Sequence, residues 1–182
     1  MATQRATDQD FPIRVNFVCL GNICRSPLAE GVFRSLVEQA GLEAYFEVAS
    51  SGTGQWHVGE QADARMRQTA QEHGLSLEEH RAQQFQAEDL AMYDHIFTMD
   101  KSNLKDVLAL DDEDAYAHKV RLFREFDPEP ENYQVPDPYY GGTDGFENVY
   151  AIVERTARLL LHRLVEEYDL EDEMTTAPAA DA

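Results

Sequence analysis

Across residues 13–27 the sequence runs from apolar residues into a cysteine, through a short loop of small and polar residues, to an arginine and a Ser-Pro pair (IRVNFVCLGNICRSP). This stretch constrains the fold more than any other. The apolar run 13–18 has the length and composition of a buried strand ending at Cys19. Ser26-Pro27 marks a helix start, with Ser as N-cap and Pro at the first helical position. Leu28, Val32, Leu36 and Ala40 then recur at helical spacing, and Gly41 closes the helix. A strand that turns within a few residues into a helix is half of a βαβ unit, and such folds bind ligands at the carboxyl ends of their strands. Backbone N–H groups of the loop and of the helix N-terminus then face one point, which suits an anion and favours a thiolate at Cys19. Gly21 lets the backbone come close to that anion. Arg25 adds a planar fork of donors matched to two phosphate oxygens. The hydroxyl of Ser26, at the loop's end, is within reach of the Cys19 sulfur. A thiolate beneath phosphorus suits in-line phosphoryl transfer to sulfur, and the leaving oxygen then needs a proton from a carboxylic acid.

The rest of the chain repeats the alternation. Strands are expected over 46–49, 95–99 and 119–123, and helices over 62–73, 87–92, 103–110 and 146–168, with Gly74 stopping the first of these helices. Residues 50–61 and 124–145 read as loops, the first broken by Gly52, Gly54 and Gly59. Strands alternating with helices predict an α/β fold, a three-layer αβα sandwich with a four-stranded parallel sheet in one domain. That domain is expected over 13–168, preceded by an extension over 1–12 and followed by an acidic, disordered tail over 169–182.

Composition narrows the partners. With 182 residues and 43% apolar content, the chain can bury one sizeable core. Its formal net charge of −20 repels nucleic acid and anionic membranes. No apolar run approaches the roughly 20 residues of a membrane span, and 1–12 lacks the apolar centre of a secretory signal. Cys19 and Cys24 are the two cysteines. They share one short loop and cannot staple distant parts of a fold, which indicates a reducing, cytoplasmic setting and a chemical role. No zinc-like ligand spacing is present, and no metal is expected.

The segment 18–27 resembles the signature of the low-molecular-weight protein tyrosine phosphatases. The likeness extends from about 13 to 168 and includes Ser51-Gly52, Trp56-His57-Val58-Gly59, His73-Gly74, Met99-Asp100-Lys101-Ser102-Asn103-Leu104 and Asp137-Pro138-Tyr139-Tyr140-Gly141. It implies a four-stranded parallel sheet flanked by helices, no cofactor, and a monomer acting on a phosphotyrosine-containing protein. By the same resemblance Cys19 is the nucleophile, Arg25 the phosphate clamp and Asp137 the acid of the first step and base of the second. Pro136 and Pro138 restrict the backbone on either side of that carboxyl. The resemblance also implies that Asn22, Ser26, Ser51 and His73 form a network supporting the loop and that Asp100 orients Arg25. It further implies that Leu20, Ile23, Trp56, Tyr139 and Tyr140 wall an aryl slot, and that Cys24 can form a reversible disulfide with Cys19. Two enzymes of the same fold are alternatives. A thiol-dependent arsenate reductase needs cysteines beyond the loop, which this chain lacks. A protein-arginine phosphatase carries Thr where Ile23 stands. A silent phosphate-binding module would lack the nucleophile or the acid.

Overall fold

The computed structural model describes residues 11–175. Four strands form one parallel sheet: β1 (Ile13–Cys19), β2 (Phe46–Gly52), β3 (His95–Thr98) and β4 (Val120–Leu122), in the order β2-β1-β3-β4. The α-helices among the described residues are α1 (Arg25–Gln39), α2 (Ala64–Glu72), α3 (Asp89–Met92), α4 (Lys101–Leu108) and α5 (Thr143–Glu167). The α/β class and the four-stranded parallel sheet expected from the sequence are therefore present.

The central strand β1 is buried on both sides, which is why it reads as a near-continuous apolar run. Its Ile13, Val15 and Phe17 join α1 and α5 in the larger core, where the Phe17 ring meets Phe33, Phe97 and Phe123 at centroid distances of 5.6, 5.8 and 5.3 Å. Val18 points the other way, into a smaller cluster with Leu90, Ile96, Val107 and Val120. The chain leaves β1 toward β2 and later returns to β3 on β1's other side. The strand order thus reverses beside β1, and Cys19 ends that strand at the topological switch point.

Several boundaries differ from the sequence reading. β2 runs on to Gly52, because Ser50, Ser51 and Gly52 pair with Phe17, Val18 and Cys19. Helix α1 begins at Arg25 with Cys24 as its N-cap, so Ser26 lies inside the helix rather than capping it. Arg124 and its neighbours are not loop: Phe123–Phe126 forms a 3-10 turn, and α5 starts at Thr143. The tail is also more structured than expected. Leu170 is buried in the larger core, Glu171–Glu173 is a 3-10 turn, and the Thr175 N–H donates to the Ala40 carbonyl at 3.0 Å. Most of the extension over 1–12, and the tail from residue 176 on, lie outside the described residues.

Candidate active site

At the end of β1 the chain must reverse into α1 within a few residues. Asn22 makes the turn with φ of +56°, a conformation its short polar side chain tolerates. This folds the loop back so that the Asn22 N–H donates to Cys19 Sγ at 3.3 Å. The end of β2 lies tight against the loop, since a Cβ on Gly52 would sit 2.7 Å from the Leu20 carbonyl oxygen. The Gly21 position is also tight. A Cβ there would lie 3.0 Å from Cδ2 of His57, whose ring packs on the loop.

The Ser26 hydroxyl turns to the sulfur, with Oγ 3.0 Å from Cys19 Sγ. Asn22 Nδ2 donates to that same Oγ at 2.8 Å and to Ser50 Oγ at 3.0 Å. Because the Asn22 amide fills one acceptor position, the Ser26 proton is free to point at sulfur or at the Ser51 carbonyl, 3.2 Å away. The network is closed by His80, whose Nε2 meets the Asn22 carbonyl at 2.8 Å, and by the Gln83 N–H on Asn22 Oδ1 at 2.9 Å.

Of the predicted members of this network, Ser51 takes part through its backbone and His73 is corrected. Ser51 contributes its carbonyl only. Its hydroxyl donates to Asn16 Oδ1 at 2.9 Å, and the neighbouring Ser50 supplies the hydroxyl to Asn22, as alternation along a strand requires. His73 is remote from the loop: it stacks on Tyr150 with centroids 3.7 Å apart and contacts Glu147 Oε2 at 2.9 Å. His80 takes the place expected for it. His80→Ala, by removing one hydrogen bond of about 1 kcal/mol from the loop, is expected to lower kcat/KM about 5-fold. His73→Ala is expected to stay within about 2-fold of the wild type. A larger effect of His73→Ala than of His80→Ala would reverse the correction.

Arg25 is 3% exposed and held from three sides. Its Nη1 donates to Asp100 Oδ2 at 2.7 Å and to the Val135 carbonyl at 3.1 Å, and its Nη2 approaches Asp137 Oδ2 at 3.4 Å. Burial opposes its charge, but the negative groups at Cys19, Asp100 and Asp137 outweigh burial and hold the guanidinium above its usual range. Asp100 does two jobs with its two oxygens, since Oδ1 accepts the Asn103 N–H at 2.8 Å and caps α4.

Asp137 reaches the same place from far along the chain. Its Oδ1 accepts the Tyr139 N–H at 3.0 Å, and its side chain is 40% exposed. A cleft of about 340 Å³ brings together Cys19, Arg25 and Asp137 with Leu20, Gly21, Ile23, Cys24, Trp56, His57, Tyr139 and Tyr140. Every predicted slot residue is in it, and His57, which the sequence reading left without a role, joins them. Arg65 steadies the aromatic wall by donating to the Tyr139 carbonyl at 3.1 Å. Cys24, although it lines the cleft, is almost fully buried. Burial first, and then Asp63, Cys19 and Asp137, push its thiol far above the ordinary range. Both cysteines are free thiols.

The arrangement can hold a tetrahedral anion above a sulfur nucleophile, with a carboxyl facing it across the cleft. The sequence model of the low molecular weight phosphotyrosine protein phosphatases matches residues 14–170. This chain belongs to that family. It is 45% identical over 158 residues to a low molecular weight protein-tyrosine-phosphatase of Streptomyces coelicolor, covering 86% of this chain and 96% of that one. It is 47% identical over 139 residues to the low molecular weight phosphotyrosine protein phosphatase of Schizosaccharomyces pombe, covering 76% and 88%. A crystal structure of a protein tyrosine phosphatase from Entamoeba histolytica superposes with a TM-score of 0.81 at 35% identity, covering 85% of this chain and 98% of that one.

Proposed function

We propose that this chain hydrolyses phosphotyrosine in proteins through a cysteinyl-phosphate intermediate. The observation that carries the reading is the convergence of Cys19, Arg25 and Asp137 on one cleft with aromatic walls. In the first step the Cys19 thiolate attacks phosphorus in line, the bond to the tyrosyl oxygen breaks, and Asp137 gives that oxygen its proton. Arg25 and the loop amides hold the equatorial oxygens as charge moves onto them. In the second step the Asp137 carboxylate takes a proton from water as the water attacks phosphorus, and inorganic phosphate and the thiolate are released. The Ser26 hydroxyl and the Asn22 N–H stabilise the sulfur as leaving group by hydrogen bonding, and the Asn22 amide holds the Ser26 hydroxyl in place. Asp100 orients Arg25.

The walls of the cleft set the substrate. Ile23 and Leu20 are apolar, and Trp56, Tyr139 and Tyr140 give it aromatic sides. A phenyl ring fills this slot, whereas a phosphoserine side chain is too short to bridge it and a phosphoarginine finds no polar partner at Ile23. Phosphopeptides of one sequence carrying phosphotyrosine, phosphoserine or phosphoarginine test this. Phosphate release is expected at least about 100-fold faster from phosphotyrosine. Comparable or faster release from phosphoarginine would overturn the substrate assignment. One chain supplies every group of the site, which supports a monomer as the active form, and two free thiols support a reducing, cytoplasmic location.

Cys24 supports a redox role. Peroxide oxidises the Cys19 thiolate to a sulfenic acid and is itself reduced to water. Attack by the Cys24 sulfur then forms the Cys19–Cys24 disulfide, with the Cys24 proton and the sulfenic oxygen leaving as water. Peroxide-treated wild type should regain activity with dithiothreitol, and Cys24→Ser should lose most of it for good. Equal recovery of the two proteins would remove the redox role.

A further inference from the structure

A buried ion cluster lies beneath the loop that carries Asp137, and the chemistry above does not use it. The Asp127 side chain has no exposed surface. It accepts Arg124 Nε at 2.8 Å, Arg155 Nε at 2.8 Å, Arg155 Nη2 at 2.9 Å and the Glu129 N–H at 3.0 Å. Arg124 is 4% exposed, and its Nη1 donates to the Gln134 carbonyl at 2.7 Å. One guanidinium therefore ties together both ends of the segment 127–134. Its far end is fixed to α5 through Arg155. Its near end leads straight to Val135, whose N–H donates to the Met99 carbonyl at 2.7 Å and whose carbonyl accepts Arg25 Nη1 at 3.1 Å. Asp137 follows two residues later.

Apart from the Tyr139 N–H on its Oδ1 at 3.0 Å, a bond within its own loop, Asp137 has little to hold it. Its side chain is partly exposed, its contact with Arg25 is long at 3.4 Å, and the flanking prolines fix local backbone angles without fixing where the loop sits. A buried ion pair is also a poor way to gain stability, since apolar residues of the same volume commonly do as well. What a buried arginine offers here is a fork that reaches two fixed acceptors at once. We propose that Arg124, anchored by Asp127 and Arg155, is a positioning residue for Asp137, setting the height of its carboxyl over Cys19. The cluster stays charged throughout the working range: burial opposes ionisation of Asp127, but hydrogen bonds from Arg155 and Arg124 outweigh it and hold the carboxyl down at about 2.

The proposal rests on Asp137 as the acid, and the test separates the two. Phenyl phosphate leaves as a phenolate of pKa about 10 and needs the acid. The nitrophenolate of p-nitrophenyl phosphate is a weaker base and needs it less. Measured by kcat/KM, Arg124→Lys keeps the charge but cannot span both acceptors. It is expected to lose about 10-fold on phenyl phosphate and less than about 3-fold on p-nitrophenyl phosphate. Arg124→Lys combined with Asp137→Asn should be no more selective between the substrates than Asp137→Asn alone, because the first residue acts through the second. Equal losses on both substrates, tracking the folded fraction in a thermal melt, would overturn the proposal. Should Arg124→Lys not fold, Arg155→Gln, which leaves the Arg124–Asp127 pair intact, is expected to show the same ordering of substrates with a smaller ratio, and its absence there counts equally against the proposal. A discriminating Asp137→Asn beside a flat Arg124→Lys overturns the positioning role alone. A flat Asp137→Asn removes the acid assignment and the proposal with it.

Discussion

Cys19→Ser is expected to lower hydrolysis of p-nitrophenyl phosphate by more than about 10⁴-fold while leaving the fold and phosphate binding in place. The fold should persist because the site asks little of sulfur's size. Cys19 is 3% exposed, and its neighbours, the Asn22 N–H and the Ser26 hydroxyl, can hydrogen-bond an oxygen as readily. The thermal midpoint should move by no more than a few degrees. Phosphate binding should persist because Arg25 and the loop amides are untouched. The reaction fails because a hydroxyl at this position is not ionised near neutral pH, its partners there, the Ser26 hydroxyl and the Asn22 N–H, are not bases, and Asp137 must hold its proton for the leaving oxygen in this step. Retained binding with lost turnover separates a missing nucleophile from a collapsed site. Activity close to wild type would mean that another group attacks phosphorus.

Asp137→Asn is expected to cost about 10² to 10³-fold in kcat/KM for a phosphotyrosine peptide. The amide is nearly isosteric and its oxygen can still accept the Tyr139 N–H; only the long contact with Arg25, which the carboxylate makes through its other oxygen, is given up, so the cleft should keep its shape. It has no proton to give to a tyrosyl oxygen and no charge with which to take one from water. The loss on p-nitrophenyl phosphate should be smaller in the first step, because the nitrophenolate leaves without help. A uniform loss across leaving groups would place Asp137 outside the proton transfer. Asp100→Asn is the useful contrast: it weakens the hold on Arg25 and should impair all substrates alike.

The strand, loop and helix around Cys19 were legible in the sequence because each residue there answers a separate physical demand in a fixed order. The four strands and their parallel arrangement followed from hydrophobic patterning. What the sequence obscured was register and distance. Ser50, Ser51 and Gly52 have the composition of a turn, yet they extend β2 because β1 offers them a parallel partner. Choosing between Ser50 and Ser51 is a choice of strand register by one residue, which local sequence does not settle when both are serine. His80 lies in irregular chain with no periodicity to place it, while His73 was singled out by the family resemblance alone and is otherwise an ordinary residue before a helix-ending glycine. Leu170 sits among acidic residues that suggest a solvated tail, and only the packed core reveals its partners. Arg124 and Asp127 fall in the stretch expected as loop and Arg155 in the last helix, and nothing local signals that two of them are buried together.

The most direct measurement of the central claim is the covalent intermediate itself. Asp137→Asn, mixed with a phosphotyrosine substrate and quenched in acid within milliseconds to seconds, should retain one phosphoryl group. Peptide mapping should place that group on the Cys19 sulfur. Phosphate on Cys24 or on a hydroxyl or carboxyl residue, or hydrolysis at a normal rate with no phosphocysteine at any time point, would contradict it.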